Sequence, residues 1–215
     1  MNATNATNAM NAINTMNKSL AVATRRCAAL LLPALLSAWL FWCAPLAQAG
    51  AVEEAIRAGG VALLIRHATA PGTGDPEYFK LNDCSTQRNL SESGRDEARR
   101  LGLHLKNAGL KPGAVLTSQW CRCRETAQLA FGGAQDWPAL NSFFRQRDSE
   151  AKQRSEVAAR IARIKPGDAP LVLVTHQVVI TSVSGVFAES GEVVVVAPAG
   201  KQIKVVGTIK AAAMP

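Results

Sequence analysis

The stretch LLIRHATA, residues 63–70, decides how this chain folds. It continues an apolar run from Val61 to Ile65 and ends that run with the polar pair Arg66-His67. A short apolar run rich in branched residues is typical of a strand buried on both faces of a sheet. The pair therefore stands at the carboxyl end of a strand, where open α/β sheets bind ligands.

Similar apolar runs recur along the chain and predict further strands at Ala114 to Leu116, Leu171 to Val174 and Val193 to Val196. Helical patterns lie between them at Ser91 to Asn107, Arg122 to Phe131 and Ser149 to Ile164. This alternation predicts an α/β fold, a three-layer sandwich whose mostly parallel sheet carries helices on both faces. Glu192 to Ala197 and Gln202 to Ile209 predict a terminal hairpin.

Residues 70 to 89 break this alternation with Pro71, Gly72, Gly74, Pro76 and many polar groups. A loop of this length inside a compact domain is usually functional or disordered. Because it leaves the carboxyl end of the first predicted strand, it indicates a ligand-binding loop.

Two further segments place polar residues at the same predicted edge of the sheet. In LTSQWCRCRETA, residues 116–127, Arg122 begins a helix directly after a strand. Free backbone amides at a helix start favour anions, and an arginine adds a two-pronged contact. In LVLVTHQVVI, residues 171–180, His176 directly follows an apolar strand. Of the three histidines in the chain, the remaining one, His104, is read as an ordinary helix residue.

The order Arg-His, Leu-Ser-x-x-Gly at 90–94, Ser-x-x-x-Arg-x-x-x-Thr-Ala at 118–127 and strand-His resembles the histidine phosphatase superfamily, which has the phosphoglycerate-mutase-like fold. The resemblance covers nearly all of residues 60–185. It implies that Arg66 and His67 match the family's Arg-His-Gly motif, with Ala68 in place of the glycine. Arg122 matches its phosphate-binding arginine and His176 its second histidine.

The resemblance implies nucleophilic catalysis in two steps on a small phosphorylated substrate. A neutral nitrogen of His67 attacks phosphorus, and water later cleaves the phosphohistidine. Arg66, Arg122 and a protonated His176 would stabilise the charge on the phosphoryl oxygens. This chemistry requires no metal or other cofactor.

The sequence departs from the family where many members carry an acid. Asn141 stands near the position of a common glutamate, and Gln177 follows His176 where one branch has an aspartate. The candidates for the proton donor are Glu192, Asp148 and Glu150. Glu192 is slightly favoured because it opens a strand soon after His176, although a solvated turn residue is an equally good interpretation of it.

The first 49 residues contain no Asp or Glu, carry three basic residues, and run almost wholly apolar from Cys27 to Cys43. Small residues follow at Ala47 and Ala49. This layout predicts a secretory signal peptide cleaved before Gly50, with a retained membrane anchor as the alternative. We therefore expect a single histidine phosphatase domain over residues 50–215, periplasmic or secreted, without a stable membrane span after cleavage.

Charge and cysteine content agree with an exported protein that binds an anion. The chain has 24 Lys and Arg against 16 Asp and Glu, and few aromatics with no dense basic run argue against nucleic acid. Three cysteines follow the predicted cut, and an oxidising compartment favours one disulfide. Cys121 and Cys123 are too close to bridge each other comfortably, so we expect Cys84 to pair with one of them.

The predicted function is hydrolysis of a phosphomonoester through a phosphohistidine on His67. Two alternatives remain open. One is a phosphohistidine-protein phosphatase, and the other is a non-catalytic phosphate- or envelope-binding module on the same fold, which the absence of a clear acid permits.

Overall fold

The computed structural model describes residues 44–200 and 202–214. Its helices are α1 (Ala44–Ala58), α2 (Glu92–Asn107), α3 (Cys121–Phe131), α4 (Glu150–Ile161) and α5 (Gln177–Ser184). Its strands are β1 (Ala62–Arg66), β2 (Ala114–Thr117), β3 (Gln135–Asp136), β4 (Leu171–Thr175), β5 (Val193–Ala199) and β6 (Gln202–Ile209). Short 3-10 turns lie at Cys84–Thr86, Pro138–Leu140, Arg147–Ser149 and Ala211–Ala213.

The six strands form one sheet in the order β3-β2-β4-β1-β5-β6. Strands β1 to β4 pair in parallel, whereas β5 and β6 pair antiparallel as the predicted hairpin. Because Arg66 at the end of β1 pairs with Thr175 at the end of β4, the residues that follow these two strands emerge side by side. The predicted mostly parallel α/β sheet is confirmed.

Both faces of the sheet are covered, as predicted from the continuous apolar strands. On one face, Leu63 and Ile65 of β1 share a buried cluster with side chains of α1, α2 and α3. On the other face, Leu64 packs with Val157 of α4 and Ile180 of α5. Successive strand residues point to opposite faces, so both helical layers rest on the same strands and hold their ends in place.

Helix α2 begins where the Leu-Ser-x-x-Gly motif lies. The Ser91 hydroxyl accepts a hydrogen bond from the Gly94 amide at 3.0 Å and caps the helix. A Cβ atom on Gly94 would stand 2.0 Å from the Thr69 carbonyl oxygen. Glycine therefore lets the helix start press against the segment that follows His67, which fixes the path of that segment.

Helices α1 and α4 differ from the sequence prediction. Helix α4 stops at Ile161 instead of Ile164, because the chain turns ahead of Pro166 and Gly167. Helix α1 runs through the predicted cleavage site, although its core residues Val52 and Ile56 both follow Gly50.

The apolar segment of the predicted signal peptide, 27–43, lies outside the described residues. Within the described part of the chain, the structure contains no helix with the length and apolar character needed to cross a membrane.

Candidate active site

His67 and His176 lie together at the carboxyl edge of the sheet. Each directly follows a strand, β1 or β4, and their ring centroids are 5.4 Å apart. Both side chains are buried. The sequence prediction that two strand ends bring these histidines together agrees with this geometry.

The imidazole of His67 is held so that one of its nitrogens carries no proton. Its Nδ1 lies 2.8 Å from the Ala68 carbonyl oxygen, which only accepts, so Nδ1 carries the proton. Burial and the nearby Arg122 charge lower the pKa of His67 well below its usual value. His67 is therefore neutral, and its Nε2 carries a lone pair and no proton.

Arg122 lies in the first turn of α3 and is buried between the two histidines. Its Nε donates to His67 Nε2 at 3.2 Å, and its Nη2 lies 3.4 Å from His176 Nδ1. One edge of the guanidinium thus faces the space between both rings. An anion seated there would meet a charged, planar pair of donors.

His176 is oriented by a chain of side chains behind it. Because its Nδ1 accepts from Arg122, its Nε2 carries the proton and donates to Ser118 Oγ at 2.8 Å. The Ser118 hydroxyl in turn donates to Asn141 Oδ1 at 3.3 Å. Asn141, which stands near the usual position of an acid, is therefore part of the support of His176.

Burial and the charge of Arg122 lower the pKa of His176 well below its usual value. A second buried cation beside Arg122 is strongly disfavoured, so His176 is neutral in this structure. The expectation of a protonated His176 concerns the site with a phosphoryl group bound and stays a prediction.

The two histidines line a cavity of about 270 Å³ that is dominated by positive charge. Among the described residues, its charged lining consists of four arginines and one carboxylate: Arg66, Arg88, Arg122, Arg145 and Asp75. Arg66 is held by its Nη1, which donates to the Ala188 carbonyl at 2.9 Å. All three cationic or histidine partners predicted for His67 thus meet at this cavity.

Sequence reasoning missed Arg88 and Asp75, both of which belong to the 70–89 loop. Arg88 donates to the carbonyls of Ala70 and Gly74, which places its guanidinium on the cavity wall. The sequence signal that could have found them was the 70–89 loop itself, because it begins at the edge of the sheet where ligands bind.

Asp75 grips the outer edge of the Arg122 guanidinium. Its Oδ1 lies 2.8 Å from Nη1 and its Oδ2 lies 3.2 Å from Nη2. Burial raises the pKa of Asp75, but the hydrogen bonds and charge of Arg122 outweigh this and lower it overall. Asp75 is therefore an ionised carboxylate that fixes the plane of Arg122.

The candidates proposed from the sequence for the proton donor do not reach the cavity. Glu192 is buried and accepts from the Glu189 amide at 2.8 Å, while Asp148 and Glu150 lie outside the cavity lining. His104 sits on α2, with its ring 4.0 Å from Glu53, and takes no part in the site.

A disulfide joins the loop to the helix that carries Arg122. It links Cys84 to Cys121, one of the two pairings expected, and Cys121 directly precedes Arg122. Gln87 adds a second tie, because its Oε1 accepts from the Cys121 amide at 3.0 Å. The remaining thiol, Cys123, is buried, and burial raises its pKa to about 12.

The model of the histidine phosphatase superfamily (branch 1) matches residues 62–142. None of the curated proteins matches the chain.

Three solved structures share the fold at low identity. A mycobacterial glucosyl-3-phosphoglycerate phosphatase complexed with VO3 is 15% identical with a TM-score of 0.53, over 67% of this chain and 96% of that one. YhfR from Bacillus stearothermophilus is 17% identical with a TM-score of 0.51, over 67% and 94%. The protein histidine phosphatase SixA complexed with tungstate is 16% identical with a TM-score of 0.50, over 72% and 99%. The chain therefore resembles the histidine phosphatase superfamily (branch 1) over residues 62–142 and shares the fold of these three structures.

Proposed function

We propose that this protein is an exported phosphatase that hydrolyses a phosphomonoester through a phosphohistidine on His67. The observation that carries the proposal is the unprotonated His67 Nε2, which lies 3.2 Å from Arg122 Nε in a cavity lined by four arginines. A nucleophile, an orienting carbonyl and charged donors are the elements that nucleophilic phosphoryl transfer requires.

In the first step, the Nε2–P bond forms while the P–O bond to the leaving group breaks, and the leaving oxygen departs with the electron pair as an anion that solvent then protonates. In the second step, water attacks phosphorus, the Nε2–P bond breaks, and phosphate leaves as the proton of the attacking water passes to solvent. The proton of His67 stays on Nδ1 throughout, hydrogen-bonded to the Ala68 carbonyl oxygen. Arg122 stabilises the negative phosphoryl oxygens in both steps.

The protonation state of His176 would change when a phosphoryl group binds beside it. As a dianionic phosphate enters beside it, the nearby negative charge favours protonation of its Nδ1. His176 would then bind the phosphoryl group as a cation and return to the neutral form when phosphate leaves.

The test is turnover of p-nitrophenyl phosphate by the purified chain, with the reaction quenched to trap the intermediate. We expect an acid-labile, base-stable phosphoadduct on His67, and loss of both adduct and turnover in His67→Asn. His104→Ala is the matched control, since His104 lies outside the site. Vanadate, which occupies one of the solved structures of this fold, should inhibit competitively.

A non-catalytic phosphate-binding module is the competing function. It would bind phosphate or vanadate with similar affinity yet show neither turnover nor adduct, and that result would refute the phosphatase.

Export is supported by the composition of residues 1–49 and by the Cys84–Cys121 disulfide, since disulfides persist in oxidising compartments. N-terminal sequencing of the periplasmic protein should begin at Gly50. A chain that still carries Met1 there would refute cleavage.

A further inference from the structure

The outer part of the catalytic cavity is aromatic, in contrast to its cationic inner part. Phe79, Trp120 and Phe144 line the same cavity as His67 and His176. A phosphate ion alone would make no favourable contact with these apolar rings. Apolar lining beside a few polar groups is typical of a site that binds the organic part of a ligand.

Trp120 forms a rigid face directly beside the phosphoryl position. Its ring stacks on Phe79 at a centroid distance of 5.1 Å and an interplanar angle of 20°, and meets His176 edge-on at 5.4 Å. Its Nε1 donates to Asp75 Oδ2 at 3.1 Å, which prevents rotation. The group attached to a phosphoryl held by His176 therefore begins next to this face.

Phe144 faces the cavity from another segment and is half exposed. Its neighbour Phe143 is buried in the core and anchors the backbone there. Exposed large apolar side chains that border a cavity indicate a binding surface more strongly than scattered ones do. A flat ring that enters the cavity would cover part of Phe144 as well as the Trp120 face.

The ionisable groups of the cavity also favour an aromatic leaving group. Asp75, the one carboxylate found among the described cavity residues, is ionised and engaged by Arg122, so it has no proton to give. Without a carboxylic acid to protonate the leaving group, an alcohol with a high pKa leaves poorly, whereas a phenol, with a pKa of about 10, leaves as its anion.

We propose that the face formed by Phe79, Trp120 and Phe144 is an aromatic subsite, and that the substrate is an aryl phosphomonoester. The inference rests on the proposed phosphatase activity and adds the class of substrate. The ring stacks against the aromatic face while the phosphoryl group lies between His67, His176 and Arg122.

The test compares kcat/KM for 2-naphthyl phosphate and phenyl phosphate, whose phenols have similar acidity but different ring area. The wild-type protein should prefer the naphthyl ester by about tenfold, because more apolar surface is buried. Phe144→Ala should reduce this preference to about threefold or less, since half of the contact is lost. Leu103→Ala, an equally exposed apolar residue outside the cavity, should keep the wild-type preference.

Ethyl phosphate tests the leaving-group argument and should react at least about 100-fold more slowly than phenyl phosphate. Equal kcat/KM for these two esters would reveal a proton donor and overturn the inference, as would a naphthyl preference that Phe144→Ala leaves unchanged. Absence of turnover with p-nitrophenyl phosphate would instead refute the phosphatase itself.

The aromatic ring has two possible sources, a free aryl phosphate or a phosphotyrosine side chain. Free phosphotyrosine and a phosphotyrosyl peptide separate them. Equal kcat/KM for the two indicates a free aryl substrate, whereas a large preference for the peptide indicates a protein substrate, and either result supports the aromatic subsite.

Discussion

The two ends of the cavity are built in different ways. The inner end takes His67, His176 and Arg122 from the ends of β1 and β4 and the start of α3, whose backbones are fixed by the sheet and its helices. The outer end takes Phe79 from a loop held by side chains and one disulfide, and Trp120 and Phe144 from segments outside the strands and long helices. The difference indicates that the proposed chemistry rests mainly on the frame of the fold, whereas the proposed selectivity rests on segments outside it.

Removal of the disulfide should affect the outer end most. The bond joins cysteines 37 residues apart, and closing a loop of that size corresponds to about 4 kcal/mol of unfolding free energy. We expect a loss of this order for Cys84→Ser combined with Cys121→Ser, measured by denaturant unfolding. Cys123→Ser, which leaves the bond intact, is the comparison variant. Equal stability of the bonded and unbonded chains would show that the loop is held by its other contacts.

Arg122→Lys should reduce catalysis at the inner end while leaving the Cys84–Cys121 disulfide intact. Lysine supplies one point charge where Arg122 directs donors to His67, His176 and Asp75. We expect kcat/KM for p-nitrophenyl phosphate to fall by about 100-fold or more. Circular dichroism checks that the variant is folded. Retention of more than a tenth of the wild-type rate would mean that the two-pronged contact is unimportant.

Lowering the pH should destabilise the folded protein through the two buried histidines of the inner end. Both buried histidines have pKa values lowered well below 6.5, so the unfolded chain binds protons that the folded chain excludes. Their contribution is complete above pH 6.5 and is lost as pH falls below it, by about 1 kcal/mol per histidine over the first pH unit. Unfolding in phosphate-free buffer from pH 7.5 to 5.5 measures this slope. The double variant His67→Asn, His176→Asn should flatten it, and a wild-type slope in that variant would contradict the assignment.

Ser118→Ala should have a smaller effect on the inner end, because it removes only the support of His176. We expect kcat to fall by about tenfold with little change in KM, since the ring loses the acceptor that fixes its tautomer. Ser118→Thr keeps the hydroxyl and should recover part of the rate. Ser184→Ala, whose hydroxyl bonds the Ile180 carbonyl away from the cavity, serves as the control.

The sequence was sufficient to predict the inner end and insufficient for the outer one, for a physical reason. His67 and His176 follow apolar runs, and parallel strands bring their carboxyl ends to one edge regardless of other details. Asp75 and Arg88 reach the site through contacts between residues far apart in the chain, which local patterns do not encode. The protonation state of His176 likewise depends on how deeply Arg122 is buried beside it, which a local pattern does not encode.

The geometry of helix α3 also determines which of its two cysteines can pair with Cys84. Cys121 and Cys123 are two residues apart, which is about 200° around a helix, so one faces the loop and the other is sealed in the core. Before helix α3 has formed, nothing favours a disulfide from Cys84 to Cys121 over one to Cys123. Correct pairing therefore depends on folding ahead of oxidation, and premature oxidation would produce a mispaired form in which Cys123 is pulled from its place beneath the sheet.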